Sequence, residues 1–107
     1  MFIVMSTFNR EWDRTDPDFL AHRAGIQANV ESGRFLCSGR VSGETYGNSG
    51  IFIDMGDDED DLRRLLDDAY GRAGYVTYHI TKVTPIFVSP TSGLAAPDLG
   101  PDGLPRA

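Results

Sequence analysis

The first eight residues, MFIVMSTF, are rich in β formers with little polarity on either face, a pattern that predicts a strand. The period then changes. Phe19, Ile26 and Val30 recur at helical spacing, His22 joins them on the same stripe, and Arg23, Gln27 and Glu31 fill the polar side. Asp16-Pro17 supplies an N-cap followed by proline at the first helical position, where a missing N–H costs nothing, and Gly33 supplies the stop. RFLCSGRV resumes a strand directly after that stop. The glycine-rich stretch SGETYGNSG leads into a further strand, IFIDM, and two neighbouring strands joined in this way should pair antiparallel.

Asp57 or Asp58 can cap the next helix, and the carboxylates beyond it suit its N-terminal dipole. Leu62, Leu65, Leu66 and Ala69 predict its buried stripe, and Asp67-Asp68 form its acidic end. In GYVTYHITKVTPIFV, Tyr75, Thr77, His79 and Thr81 alternate with Val76, Tyr78, Ile80 and Lys82, which predicts a strand that Pro85 bends or ends. SPTSGLAAPDLGPDGLPRA then holds too much proline and glycine for a regular element.

The order strand, helix, strand, strand, helix, strand predicts an α+β fold of the ferredoxin-like βαββαβ kind, with an antiparallel sheet and both helices on one face. The domain is expected at residues 1–88, followed by a Pro/Gly-rich tail at 89–107. About 90 residues must supply the core, and one sheet face is left open, so burial against a second copy, a homodimer, is expected.

Charge narrows the function. The net charge is -6, and residues 54–68 hold eight of the carboxylates against two arginines. No basic stripe interleaves with aromatics, which argues against nucleic acid. DDEDD lacks the loop glycine and spaced oxygen ligands of a calcium loop, so its ordinary reading is a helix start. Cys37 is the only cysteine, which excludes an intrachain disulfide and a cysteine-rich metal site. It is expected to be a small buried side chain. No apolar run approaches a membrane span, and a cytoplasmic location is expected.

Chemistry centres on His22. Histidine titrates nearest neutrality, and one on the inward stripe of a helix is either a satisfied core residue or a general acid–base whose second ring nitrogen needs a carboxylate. Asp68 is the candidate partner, with adjacent Asp67 the open alternative; an aspartate near a helix C-terminus opposes the dipole, so a specific partner would explain it. Tyr70 either packs or presents its hydroxyl to a substrate. Ser38 can donate to a ligand oxygen, Gly39 permits close backbone approach, and Arg40 can attract an anion from a rim containing Gly43, Gly47 and Gly50. The glycines form no phosphate-binding fingerprint, and no serine-hydrolase elbow is present. His79 reads as a cross-strand packing residue.

MFIVMSTF, LAHRAGIQANVESGRFLCSG and DDAYGRAGYVTYHITKVTP together resemble the YciI-like, or YCII-related, family over residues 1–88. The resemblance implies a dimeric α+β barrel in which His22 and Asp68 form the active-site pair and Ser38-Gly39 matches the family's SG step. Family members commonly carry Asp-Pro-Phe where this chain has Asp68-Ala69-Tyr70, a departure that leaves the aspartate in place and its backbone pose open. The implied activity is proton transfer without a cofactor or metal, an isomerisation or elimination on a small oxygenated ring compound. A non-catalytic small-molecule binder using the same cavity is the alternative.

Overall fold

The computed structural model describes residues 1–42 and 48–106. Their elements run β1 (Phe2–Phe8), α1 (Pro17–Glu31), β2 (Phe35–Val41), β3 (Ser49–Asp54), α2 (Glu59–Leu65), α3 (Ala69–Arg72) and β4 (Val76–Lys82). The strands form one four-stranded antiparallel sheet in the order β2-β3-β1-β4. Val4, Phe52 and Ile80 lie across from one another in the register, so the even-numbered residues of β1, β3 and β4 share the face that the helices cover.

The α+β class is observed, but the barrel is not. The sheet is open, with β2 and β4 as its edges, because four strands are too few to curl round and pair with each other. A second correction concerns the helices: the described residues form three. Helical spacing predicted one stripe through Leu62, Leu65, Leu66 and Ala69, yet only Leu62 and Leu66 are buried. Leu66 is the C-cap of α2, and Asp68 leaves the helical backbone to cap a new helix.

Local signals at α1 act as expected. The Asp16 carboxylate accepts from the Asp18 N–H, Pro17 opens the helix, and Gly33 takes a φ of 83° just past the Ser32 cap. Asp58 caps α2 by accepting from the N–H groups of Asp60 and Asp61.

An irregularity in β2 decides which of its side chains face the helices. Phe35 pairs with Asp54 and Ser38 with Phe52, so three steps on β2 match two on β3, the mark of a bulge. Strict alternation from buried Phe35 would send Cys37 inward. The extra residue instead puts Ser38 and Arg40 on the helix side, and Cys37 is exposed, which corrects the expectation that it is buried.

The core has two parts. Phe2, Val4, Phe35 and Phe52 meet Leu62 and Leu66 of α2, with Phe35 stacked on Phe52 at 4.6 Å between centroids. Phe19, Tyr70 and Val76 form the other part, with Phe8, Trp12, Tyr75 and Tyr78 around them. At the edge of the first part, Arg34 bonds the fully buried Asp54 through Nε at 2.6 Å and Asp61 through Nη1 at 2.7 Å. Gly56 makes room for this cluster, since a Cβ there would lie 2.9 Å from the Arg34 guanidinium.

After β4, the Val83 N–H donates to the Met1 carbonyl, and no further helix or strand occurs in the described residues, which hold turns and one isolated bridge between Leu99 and Pro105. Gly43 and Gly47 of the expected rim lie outside the described residues. Among the described residues no helix is long and apolar enough to cross a membrane.

Candidate functional site

His22 lies on α1 and is 6% exposed. Its ring is held by aromatics on several sides: Tyr70 at 5.4 Å, Phe8 edge-on at 6.2 Å and Tyr78 at 6.4 Å between centroids. Asp68 approaches from the start of α3, and its Oδ2 lies 2.8 Å from His22 Nδ1. The other oxygen, Oδ1, accepts from the Gly71 N–H at 2.8 Å, which makes Asp68 the N-cap of α3. Asp68 therefore sits at a helix start rather than a helix end, where a carboxylate is favoured. Between the two adjacent aspartates the fold chooses Asp68; Asp67 is exposed and bonds Arg72 at 2.8 Å.

The division of labour within Asp68 has a chemical result. An ionised carboxylate only accepts, so Nδ1 carries the hydrogen, and a neutral ring keeps its lone pair on Nε2. Nε2 has no hydrogen-bond partner among the described residues. The Tyr78 hydroxyl lies 3.4 Å from Nδ1. Its phenol is held above its usual titration range, mainly by burial and next by the Asp68 charge, so it remains protonated beside the pair.

A cleft of about 540 Å³ opens between α1 and the β2 side of the sheet, and His22 forms part of its wall. Ser38, Gly39, Arg40 and Gly50 line the opposite side, while Phe8, Trp12 and Phe52 supply apolar surface. The structure thus brings His22, Ser38, Gly39 and Arg40 to one cleft, with Asp68 bonded to the histidine. Tyr70 is placed differently: it is fully buried, packed between Phe19 and His22, and takes no part in the cleft wall. His79 pairs with Met5 on the sheet face away from the helices. A smaller hollow of about 270 Å³, lined by Tyr78, Gly71 and Arg72, lies beside α3 and lacks the histidine.

Four contributors escaped the sequence reading. Tyr78 was legible only as an alternating strand residue, Trp12 belongs to an irregular segment, and Arg23 looked like ordinary polar helix surface although it comes directly after His22 and lines the cleft. Gly71 was also hidden: a Cβ there would lie 3.2 Å from Asp68 Oδ1. The spacing of Asp68 and Gly71 is the only signal, an aspartate three residues before the N–H it caps.

Among the described residues no group of three or more His, Cys, Asp or Glu side chains is arranged to hold a metal ion. A scan against family models, a search of curated proteins and a search of solved structures each found no match. The YciI-like reading, with its isomerase or lyase activity, thus finds no support in these comparisons, and what the fold itself displays is a small α+β domain with a hydrogen-bonded His22–Asp68 pair beside a cleft.

Proposed function

We propose that this domain is an enzyme that moves a proton on a small oxygenated ring compound, with His22 as the general acid–base and Asp68 as its positioning residue. The observation that carries the reading is the 2.8 Å contact of Asp68 with Nδ1 of a histidine that borders a cleft. The contact fixes the tautomer and ring direction, supports positive charge on the ring during transfer, and leaves Nε2 for the substrate. Ser38, across the cleft, would position a substrate oxygen. The apolar wall of Phe8, Trp12 and Phe52 suits a ring and limits water around the reacting proton.

The test is solvent exchange and turnover across a panel of small phenols, enones and cyclic ketones, monitored by NMR in deuterated water. His22→Gln should lower the rate on a responding compound by about 10² to 10⁴-fold. Unchanged rates in folded His22→Gln and Asp68→Asn would reject the reading; saturable binding with no exchange or turnover in the native chain would favour a non-catalytic binder.

Pairing of two copies through the helix-free sheet face belongs to the same proposal. Ile3, Met5, Ile51 and Ile53 pair across the centre of that face and are only partly covered within one chain. Sedimentation showing monomer alone at micromolar concentration would sink it.

A further inference from the structure

We infer that the cleft takes an anion, and specifically a planar ring compound bearing a carboxylate, held by Arg23 of α1 and Arg40 of β2, which both lie against Trp12. This rests on the cleft being the substrate site proposed above, and on nothing about which bond reacts.

Arg10, Arg34, Arg63, Arg72 and Arg106 each have a carboxylate within salt-bridge distance. Arg23 and Arg40 have none among the described residues, although the chain carries a net charge of -6. Arg14 and Arg64 have none there either, but neither of them lines the cleft. Arg23 and Arg40 instead lie against one ring: their Cζ atoms are 5.8 and 5.7 Å from the Trp12 centroid. Contact with a ring face spends none of a guanidinium's five N–H donors. The two arginines come from different elements, and both line the cleft that His22 borders.

The rest of the wall sharpens the chemistry. No aspartate or glutamate among the described residues lines the cleft, and Asp68 is committed to His22 and Gly71. Two like charges held at one site repel, and an anion between them turns that repulsion into attraction. Guanidinium geometry matches a carboxylate through paired N–H donors, while Trp12, Phe8 and Phe52 offer surface to a ring. A ligand spanning both features places its charged end at the arginines and its ring toward His22.

Trp12 is the only tryptophan, so its fluorescence reports the site without a label. Salicylate is the first probe, with phthalate beside it; salicylamide brings the ring without the charge, and inorganic phosphate brings charge without the ring. Salicylate or phthalate should change the fluorescence saturably, more tightly than salicylamide or phosphate. Arg23→Gln and Arg40→Gln should each weaken that binding by about tenfold or more. Arg106→Gln, which removes a charge paired with Asp98, should leave it unchanged.

Equal affinity for salicylamide, tighter binding of phosphate, indifference to both arginine replacements, or no response to either carboxylate at millimolar concentration would overturn the inference. His22→Gln separates this result from the catalytic reading: anion binding should persist in it while exchange chemistry is lost. Arginine-independent binding combined with His22-dependent chemistry would leave proton transfer standing on an uncharged substrate.

Discussion

Asp54 and Asp68 are both tied by short hydrogen bonds to a basic side chain, yet the two sites use those bonds differently. Asp54 is fully buried and places both oxygens on Arg34, while Oδ1 also accepts from the Gly56 N–H. Arg34 adds Asp61, and these hydrogen bonds hold its guanidinium protonated above its already high ordinary value. Both carboxylates there are held by a partner whose charge is permanent. Asp68 keeps 32% of its side chain exposed, divides its oxygens between a helix cap and a histidine ring that borders a cleft, and leaves the second nitrogen of that ring without a partner among the described residues. Saturation makes a structural lock. A ring nitrogen left unpartnered on a histidine that borders a cleft is what the proposed proton transfer needs.

Breaking the lock should have the largest effect. Arg34→Met strands the Asp54 carboxylate in the core and should cost about 3–5 kcal/mol in denaturant unfolding. Adding Asp54→Leu should restore much of that loss, since the penalty belongs to the uncompensated charge. If the double variant is no more stable than the single one, the cluster does more than neutralise a buried carboxylate.

The same treatment of the second site should give a smaller stability effect. Asp68→Ala removes the α3 cap and should cost about 1 kcal/mol. Asp68→Asn can keep the cap through its carbonyl oxygen, which leaves an NH₂ group facing Nδ1. The ring should then switch to the tautomer with hydrogen on Nε2, visible in nitrogen NMR, with stability nearly unchanged. Retention of the Nδ1–H tautomer in Asp68→Asn would contradict the assigned roles of the two oxygens.

The two sites should also mark opposite ends of the pH range. The Arg34 hydrogen bond lowers the Asp61 carboxyl below its ordinary value of 3.8, so its contribution is present above that pH and lost as acid protonates the folded state. Arg34→Met should flatten that part of the acid limb. Tyr78 is raised above 10.0, mainly by burial, so its contribution is present below that pH and lost as pH climbs through the folded value. Ultraviolet titration should show a tyrosine component above the ordinary tyrosine range, and Tyr78→Phe should remove it.

Gly71→Ala is the finest probe. Its Cβ would press Asp68 Oδ1 at 3.2 Å, so the carboxylate must shift by a few tenths of an ångström. Stability should change by less than about 1 kcal/mol, since alanine favours helix while the contact opposes it. The His22 ring signal should move all the same; an unmoved signal would mean that the cap does not position the pair.

How much the sequence made legible depends on how local each signal is. Asp16, Pro17 and Gly33 bracket α1 through contacts within a few residues, and both ends appear where the pattern puts them. Leu65 and Ala69 misled because their spacing continues a helix that the backbone at Asp67-Asp68 interrupts, and the capping role of Asp68 depends on residues further along the chain. The expectation of a buried Cys37 failed because a bulge is set by pairing with β3, information absent from β2 alone. His22 and Asp68 were nameable from residue type and the family words. Trp12, Arg23 and Arg40 were not legible as one group, since their proximity is created by packing a loop, a helix and an edge strand together.

The bulge also bears on how the molecule behaves among many copies of itself. A straight outer strand offers a regular row of N–H and C=O groups onto which another chain's strand can add, the first step of edge-to-edge aggregation. Between Phe35 and Ser38 that row is interrupted, so an incoming strand in register at one end loses it at the other. The irregularity that turns Ser38 and Arg40 toward the cleft thereby gives the β2 edge a built-in resistance to fibril-like growth.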